Sequence, residues 1–219
     1  MIAMASRPTG SATRSARSGE VLAFAVSDEA LLDGLRGGQG NAVLALFDRY
    51  GRHVERVVAR ILGADPDLPD VVHDVFAGIL AGACKVREAS ALKDWLTSVA
   101  IFRARTFIRR RARRRLWERV FPTTELPDRP APVRDDAAVE AIQVTYRLLD
   151  RLPADERITF SLRRLDGMKL TDIAASCGVS LATTKRRLSR AEAKFDALAK
   201  TEPALAEWNL STEGGMEHD

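Results

Sequence analysis

Four basic side chains, Lys185, Arg186, Arg187 and Arg190, crowd one short stretch just after a glycine and a serine. Groups of this kind neutralise phosphates, and a guanidinium can fork onto O6 and N7 of guanine. A second and denser run, Arg103, Arg105, Arg109, Arg110, Arg111, Arg113, Arg114 and Arg115, also suits a phosphate backbone; its last part, Arg111 to Arg115, reads equally as a solvated helix face. Asp70, His73 and Asp74 stand at i, i+3 and i+4, a spacing that puts them on one side of a helix. Three readings fit them: an acidic start favoured by the helix dipole, a surface that docks another protein, or ligands for a divalent ion. Catalysis has no comparable signal. The three histidines, His53, His73 and His218, are scattered, no glycine-rich phosphate loop follows a strand, and no nucleophile elbow occurs. The expectation is a chain that is not an enzyme, with no cofactor and no metal.

The basic stretch needs a scaffold, and residues 170–190 provide one. Ile173 and Ala174 give a first short helix its apolar and small positions. Gly178 sits where the chain must turn, since glycine accepts a positive φ without a Cβ clash. Val179 fills the gap between helices. The Ser180 hydroxyl can cap the next helix by accepting from a free N–H of its first turn. That helix has an apolar anchor at Leu188 and a basic outer side. Helix, glycine turn, cap and basic helix together read as a helix-turn-helix, the second helix being the major-groove reader. An ordinary helical hairpin with a solvated face is the bland alternative.

The bulk composition agrees with a polyanionic partner. The chain has 219 residues, a net charge of +4, and 46% hydrophobic residues, enough for packed cores. Two cysteines, Cys84 and Cys177, form no C-x-x-C pair, so neither a zinc ribbon nor a disulfide framework is supported. No apolar run approaches the roughly 18 residues that a membrane span needs. A cytoplasmic location is expected.

Along the chain, residues 1–26 read as a disordered basic arm. Ser27 caps a short helix with Leu31, Leu32 and Leu35 on one side. A long amphipathic helix follows, its stripe being Val43, Phe47, Tyr50, Val54, Val57 and Ile61, closed by Gly63. A second long helix starts near Asp67, with Val72, Val75, Phe76, Ile79 and Leu80 on its apolar side. Ser90 is the expected cap of a third, which turns Leu92, Trp95, Leu96, Val99 and Phe102 inward before becoming basic. Trp95 is read as core in preference to a stacking platform. Residues 116–134 form a proline-rich linker. Asp135 or Asp136 then caps a helix with Val139, Ile142, Tyr146 and Leu149, and Leu152-Pro153 ends it. Another begins at Asp155 and stops at Gly167. Residues 200–219 form an acidic tail in which Leu205 and Trp208 can dock locally. The fold class is all-α: two helical domains, 27–115 and 135–199, joined by the linker, the second containing the helix-turn-helix.

Three stretches in this order, DLPDVVHDVFAGIL, LKDWLTSVAIFRARTFIRRRARRR and LPADERITFSLRRLDGMKLTDIAASCGVSLATTKRRLSRAEAKF, resemble a bacterial RNA polymerase sigma factor of the sigma-70 family, extracytoplasmic-function (ECF) group. Departures from the family pattern are Ile101, Phe102 and Thr106 in the Trp helix, His73 in place of the usual Gln, and Thr184, where an apolar residue commonly turns inward. The resemblance implies that Asp67, Asp70, His73 and Asp74 dock on core polymerase. It implies −10 DNA binding by Lys85, Lys93, Arg103, Arg105, Arg109 and Arg110, with the loop before Trp95 holding an extruded base. It implies −35 DNA binding by Ser180, Thr183, Lys185, Arg186, Ser189 and Arg190, while Arg187 pairs with backbone or with an acidic residue of its own domain. The implied partners are core RNA polymerase, promoter DNA and an anti-sigma protein. A free-standing helix-turn-helix regulator is the rival; it leaves the 67–80 helix and the arginine run unexplained.

Overall fold

A computed structural model describes residues 27–82, 86–120 and 137–205. These residues form eight α-helices with two short irregular turns and no strand among them. The expected arm, the caps at Asp135 and Asp136, most of the linker, Lys85 and Trp208 lie outside the described residues.

Helix α1 (Asp28–Arg36) is capped by Ser27, whose Oγ accepts from the Ala30 amide at 3.3 Å. It packs on α2 (Gly40–Leu62), and the Tyr50 hydroxyl fastens the pair by donating to Asp28 at 2.8 Å. The buried side of α2 is Leu46, Tyr50, Val54, Val57, Val58, Ile61 and Leu62. Phe47 belongs to the expected stripe but is 56% exposed, its ring 4.9 Å from that of Phe76. Gly63 ends α2 at φ 80°, a left-handed backbone, and a Cβ there would stand 2.6 Å from the Tyr146 ring; both reasons require glycine.

Helix α3 (Leu68–Gly82) buries Val71, Val75 and Ile79, so the inward edge lies one residue away from the expected one, and Leu80 is exposed. Arg36 donates to the Val86 carbonyl at 2.6 Å and pins the segment entering the next helix. Ser90 is not a cap: it lies inside a 3-10 turn, Ala89–Ala91, which leads into α4 (Leu92–Val120). Helix α4 buries Leu92, Leu96, Ala100, Ile101, Ala104 and Ile108, with Trp95 partly buried against the same core. Phe102, expected inward, is 57% exposed. The helix runs on to Val120, into the stretch read as linker.

The second half is α5 (Ala137–Leu149), α6 (Ala154–Phe160), a π-helical turn (Ser161–Leu165), α7 (Leu170–Cys177) and α8 (Leu181–Ala199). Ile142, expected on the inner side of α5, is exposed; Ala141, Val144 and Leu148 are buried instead. Leu205 docks against α5 and α8, as the sequence suggested. The two halves touch. Ile158, Leu162 and Ile173 join the buried cluster built from α1 to α4, so α6 and α7 lie on α4 and the π turn lies on α2.

Candidate nucleic-acid and polymerase interfaces

The outer face of α8 is presented as the sequence reading expects. Gly178 takes the left-handed conformation, φ 65° and ψ 38°, between α7 and α8. Ser180 Oγ caps α8 by accepting from the Thr183 amide at 3.2 Å. Thr184, Leu188 and Ala191 are buried beneath the helix. Thr184 fills an inward position that otherwise suits an apolar residue; its hydroxyl is satisfied by donating to the Ser180 carbonyl at 3.2 Å. Lys185, Arg186, Ser189 and Arg190 are exposed on the opposite side. Arg187 turns inward and pairs with Asp155 of its own half at 3.4 Å.

The α4 arginines have carboxylate partners from three directions. Arg105 and Arg109 reach Asp155 at 2.9 and 2.8 Å, so one carboxylate of the second half gathers both of them together with Arg187. The Arg105 contact is an ion pair whose N–H is not aligned for a hydrogen bond. Arg115 pairs with Asp150 of α5's end at 3.4 Å, and Arg111 with Asp65 before α3. Arg103 lies flat over α3, where a Cβ at Gly78 would stand 2.7 Å from its Nη2. Arg110 stays exposed, as does Lys93 at the start of α4.

Asp67, just before α3, and Asp70 and Asp74 on it are exposed and line a cavity of about 330 Å³ with Arg110, Arg111 and Arg114 on its far wall. The expected polymerase-docking carboxylates and one expected −10 arginine therefore share a cleft. His73 does not share their face. It opens into an apolar groove with Phe47, Val72, Phe76 and Leu80. Asp70, His73 and Asp74 thus do not converge, and no group of three such side chains among the described residues is arranged to hold a metal ion.

The contact between the halves is polar as well as apolar. Arg157 of α6 is buried, and it donates from Nε to the Ile61 carbonyl at 2.9 Å and from Nη2 to the Leu62 carbonyl at 3.2 Å. These are carbonyls that the end of α2 leaves without helical partners. Its third arm pairs with Asp150. Burial lowers the Arg157 pKa, and Asp150 opposes that shift. The Tyr146 hydroxyl donates to the Ala59 carbonyl at 3.3 Å beside Gly63. Cys177 is a free thiol in no disulfide, and burial pushes its pKa up, which suits packing more than redox chemistry.

Two family models match this chain in order: sigma-70 region 2 over residues 46–114, which spans α2 to the arginine run of α4, and sigma-70 region 4 over residues 142–195, which spans α5 to α8. The chain belongs to the sigma-70 family. The ECF RNA polymerase sigma-E factor of Haemophilus influenzae is 26% identical over 178 residues, covering 78% of this chain and 94% of that protein. Its Escherichia coli K12 counterpart is 27% identical over 179 residues, covering 78% and 93%. Among solved structures, CnrH in complex with the cytosolic domain of CnrY aligns with a TM-score of 0.53 at 21% identity, covering 80% of this chain and 98% of that one; this likeness speaks to the fold.

This chain is thus a sigma factor of the ECF group, a subunit that directs RNA polymerase to promoters. Sigma factors are non-catalytic initiation factors. The region 2 match covers the part that a free-standing helix-turn-helix regulator leaves unexplained, and that reading is not favoured. No described helix is long and apolar enough to cross a membrane. What the sequence reading of this sigma factor missed is the set Asp150, Asp155, Arg157 and Asp166. Each looks like an ordinary helix or turn residue, and its partner is far away in the chain. Also missed are Arg49, Arg52 and Arg56 of α2, which line one basic pocket with His53 and Lys93.

Proposed function

We propose that this sigma factor works in the cytoplasm as a two-handed promoter reader. The first half docks on core polymerase through the carboxylates at the start of α3, Asp67 just before it and Asp70 and Asp74 on it. It handles −10 DNA through Lys85, Lys93 and the α4 residues Arg103, Arg105, Arg109 and Arg110, helping to open the duplex. The second half reads −35 DNA with Lys185, Arg186, Ser189 and Arg190, while Ser180 and Thr183 sit where the helix start can bond phosphate. Arg187 is assigned a structural part, since Asp155 holds it. One observation supports this division above the others: the four α8 side chains all face outward while Thr184, Leu188 and Ala191 anchor the helix from beneath. An α-helix so anchored fits a major groove about 12 Å wide.

In the closed chain Arg105 and Arg109 are held by Asp155. Binding −10 phosphates therefore requires the second half to move off α4. We assign that opening to core polymerase, which would engage both halves along a tether. An anti-sigma protein that covers the same faces is the corresponding brake; the structural neighbour CnrH was solved in complex with an anti-sigma factor, the cytosolic domain of CnrY. No part of this scheme needs a catalytic group.

The test is reconstitution. Purified core polymerase plus this chain, offered a promoter library, should start transcripts at defined sites that neither component gives alone. Failure to associate with core polymerase, or transcripts identical to those of core alone, would overturn the proposal.

A further inference from the structure

Helix α2 carries a basic face that no role above uses. Arg49, Arg52, His53 and Arg56 line, with Lys93 of α4, an open pocket of about 480 Å³. Arg52 and Lys93 pair with no carboxylate among the described residues. Arg56 is fixed in place by a chain of hydrogen bonds. The Thr97 hydroxyl donates to the Lys93 carbonyl at 2.9 Å, so it can only accept from His53 Nε2, 2.8 Å away. His53 therefore carries its proton on Nε2 and offers the Nδ1 lone pair to Arg56 Nη2 at 3.2 Å. The rest of the Arg56 guanidinium points to an anion: its Nε lies 3.6 Å from Asp166 Oδ1, and Arg60 Nε lies 3.9 Å from the same oxygen.

Asp166 belongs to the second half, at the end of the π turn. Its carboxylate faces Arg56 and Arg60 at 3.6 and 3.9 Å, a looser contact than that of Asp155 with Arg105 and Arg109 at 2.9 and 2.8 Å. Asp155 stands in the first turn of α6 and Asp166 just after the π turn, a stretch that spans about 16 Å at 1.5 Å per residue. One segment thus lays two carboxylates on two arginine pairs, one on α2 and one on α4. About five base steps at 3.4 Å cover the same distance along the axis of duplex DNA.

We propose that Arg56 and Arg60, flanked by Arg52 and Lys93, form a second binding site for the promoter DNA backbone, and that Asp166 fills it in the closed chain as a stand-in for a phosphate. This rests on the promoter-reading function above and extends the DNA path from α4 onto α2. His53 is a positioning residue: it holds the Arg56 fork and does not itself meet DNA.

The experiment measures promoter affinity of the reconstituted holoenzyme against salt, for the parent chain, R56Q/R60Q and R56K/R60K. Two lost phosphate contacts should reduce the slope of log K against log salt by about 1.8, at about 0.9 per phosphate on duplex. The lysine pair should restore most of it, which a merely structural defect would not allow. In the free chain, D166N should raise affinity for the same DNA about threefold, as expected for removing one competing carboxylate from two long, partly exposed ion pairs. Unchanged slopes in R56Q/R60Q, or no gain in D166N, would overturn the inference while leaving the sigma assignment intact. A parent holoenzyme that never engages promoter DNA would overturn both. Inorganic phosphate, added at constant ionic strength, should not displace the DNA; displacement would mark a small-anion site and contradict the assignment to backbone.

Discussion

Replacing Arg157 by Met should uncouple the two halves. The methionine keeps much of the apolar stem in place but removes the guanidinium. The Ile61 and Leu62 carbonyls, now reached at 2.9 and 3.2 Å, would lose their donor in a buried setting. Each orphaned acceptor costs about 1–3 kcal/mol. Asp150 loses one partner but is partly exposed and keeps Arg115, so it adds little. The expected loss is about 3–4 kcal/mol of stability in the contact between α2 and α6. Urea unfolding, followed by tryptophan fluorescence and circular dichroism, should show a midpoint lower by about 1.5–2 M for an m-value of about 2 kcal/mol/M. The helix-turn-helix half should then unfold separately from the first half. Arg157→Lys keeps the charge but cannot fork onto two carbonyls, so it should fall between Met and the parent. A Met variant within about 1 kcal/mol of the parent, or a Lys variant equal to it, would refute the claim that this side chain caps α2 across the interface.

Three further outcomes are expected. Burial lowers the His53 pKa, with Lys93 and Arg56 adding to the shift and Asp166 and Asp94 opposing it. The unfolded chain therefore takes up a proton at a higher pH than the folded one, and stability should fall as pH drops below about 6.5. His53→Gln should flatten that part of a stability–pH profile measured by urea midpoints. Gly63→Ala forces a side chain into a left-handed backbone at φ 80° and a Cβ to within 2.6 Å of the Tyr146 ring, so calorimetry should show a loss of about 2 kcal/mol or more. Asp70→Ala with Asp74→Ala should weaken binding to core polymerase, read by fluorescence titration, while leaving binding of α8 to −35 duplex unchanged; unaltered core affinity would remove these residues from the docking face.

Features set by neighbours in sequence were legible, and those set by distant partners were not. Gly178, Ser180 and the alternation of Leu188 with exposed basic residues locate the helix-turn-helix, because a turn, a cap and a helical face are local chemistry. Faces read by simple three- and four-residue steps drifted at their edges. Phe47, Phe102 and Ile142 are apolar and correctly spaced, yet they point outward, while small residues such as Ala100, Ala104 and Ala141 take the tight contacts between helices. His73 was grouped with Asp70 and Asp74 by spacing, but the roll of α3 sends it into the groove beside Phe47. The contact between the halves left no trace in local pattern. Asp155 meets Arg105, and Arg157 meets Ile61, only because α6 crosses both α4 and the end of α2. The arginine run was recognised as a site for anions; that the chain supplies some of those anions itself required the fold.

The separation of the two halves is the quantity on which the whole account turns. Donor and acceptor dyes on the exposed ends of α3 and α8 report it by energy transfer in the free chain, with core polymerase, and with core polymerase on a promoter. The distance should be short in the free chain and lengthen by tens of ångströms once polymerase is bound, freeing Arg105 and Arg109 from Asp155. An unchanged short distance in a holoenzyme that initiates transcription would contradict this expectation.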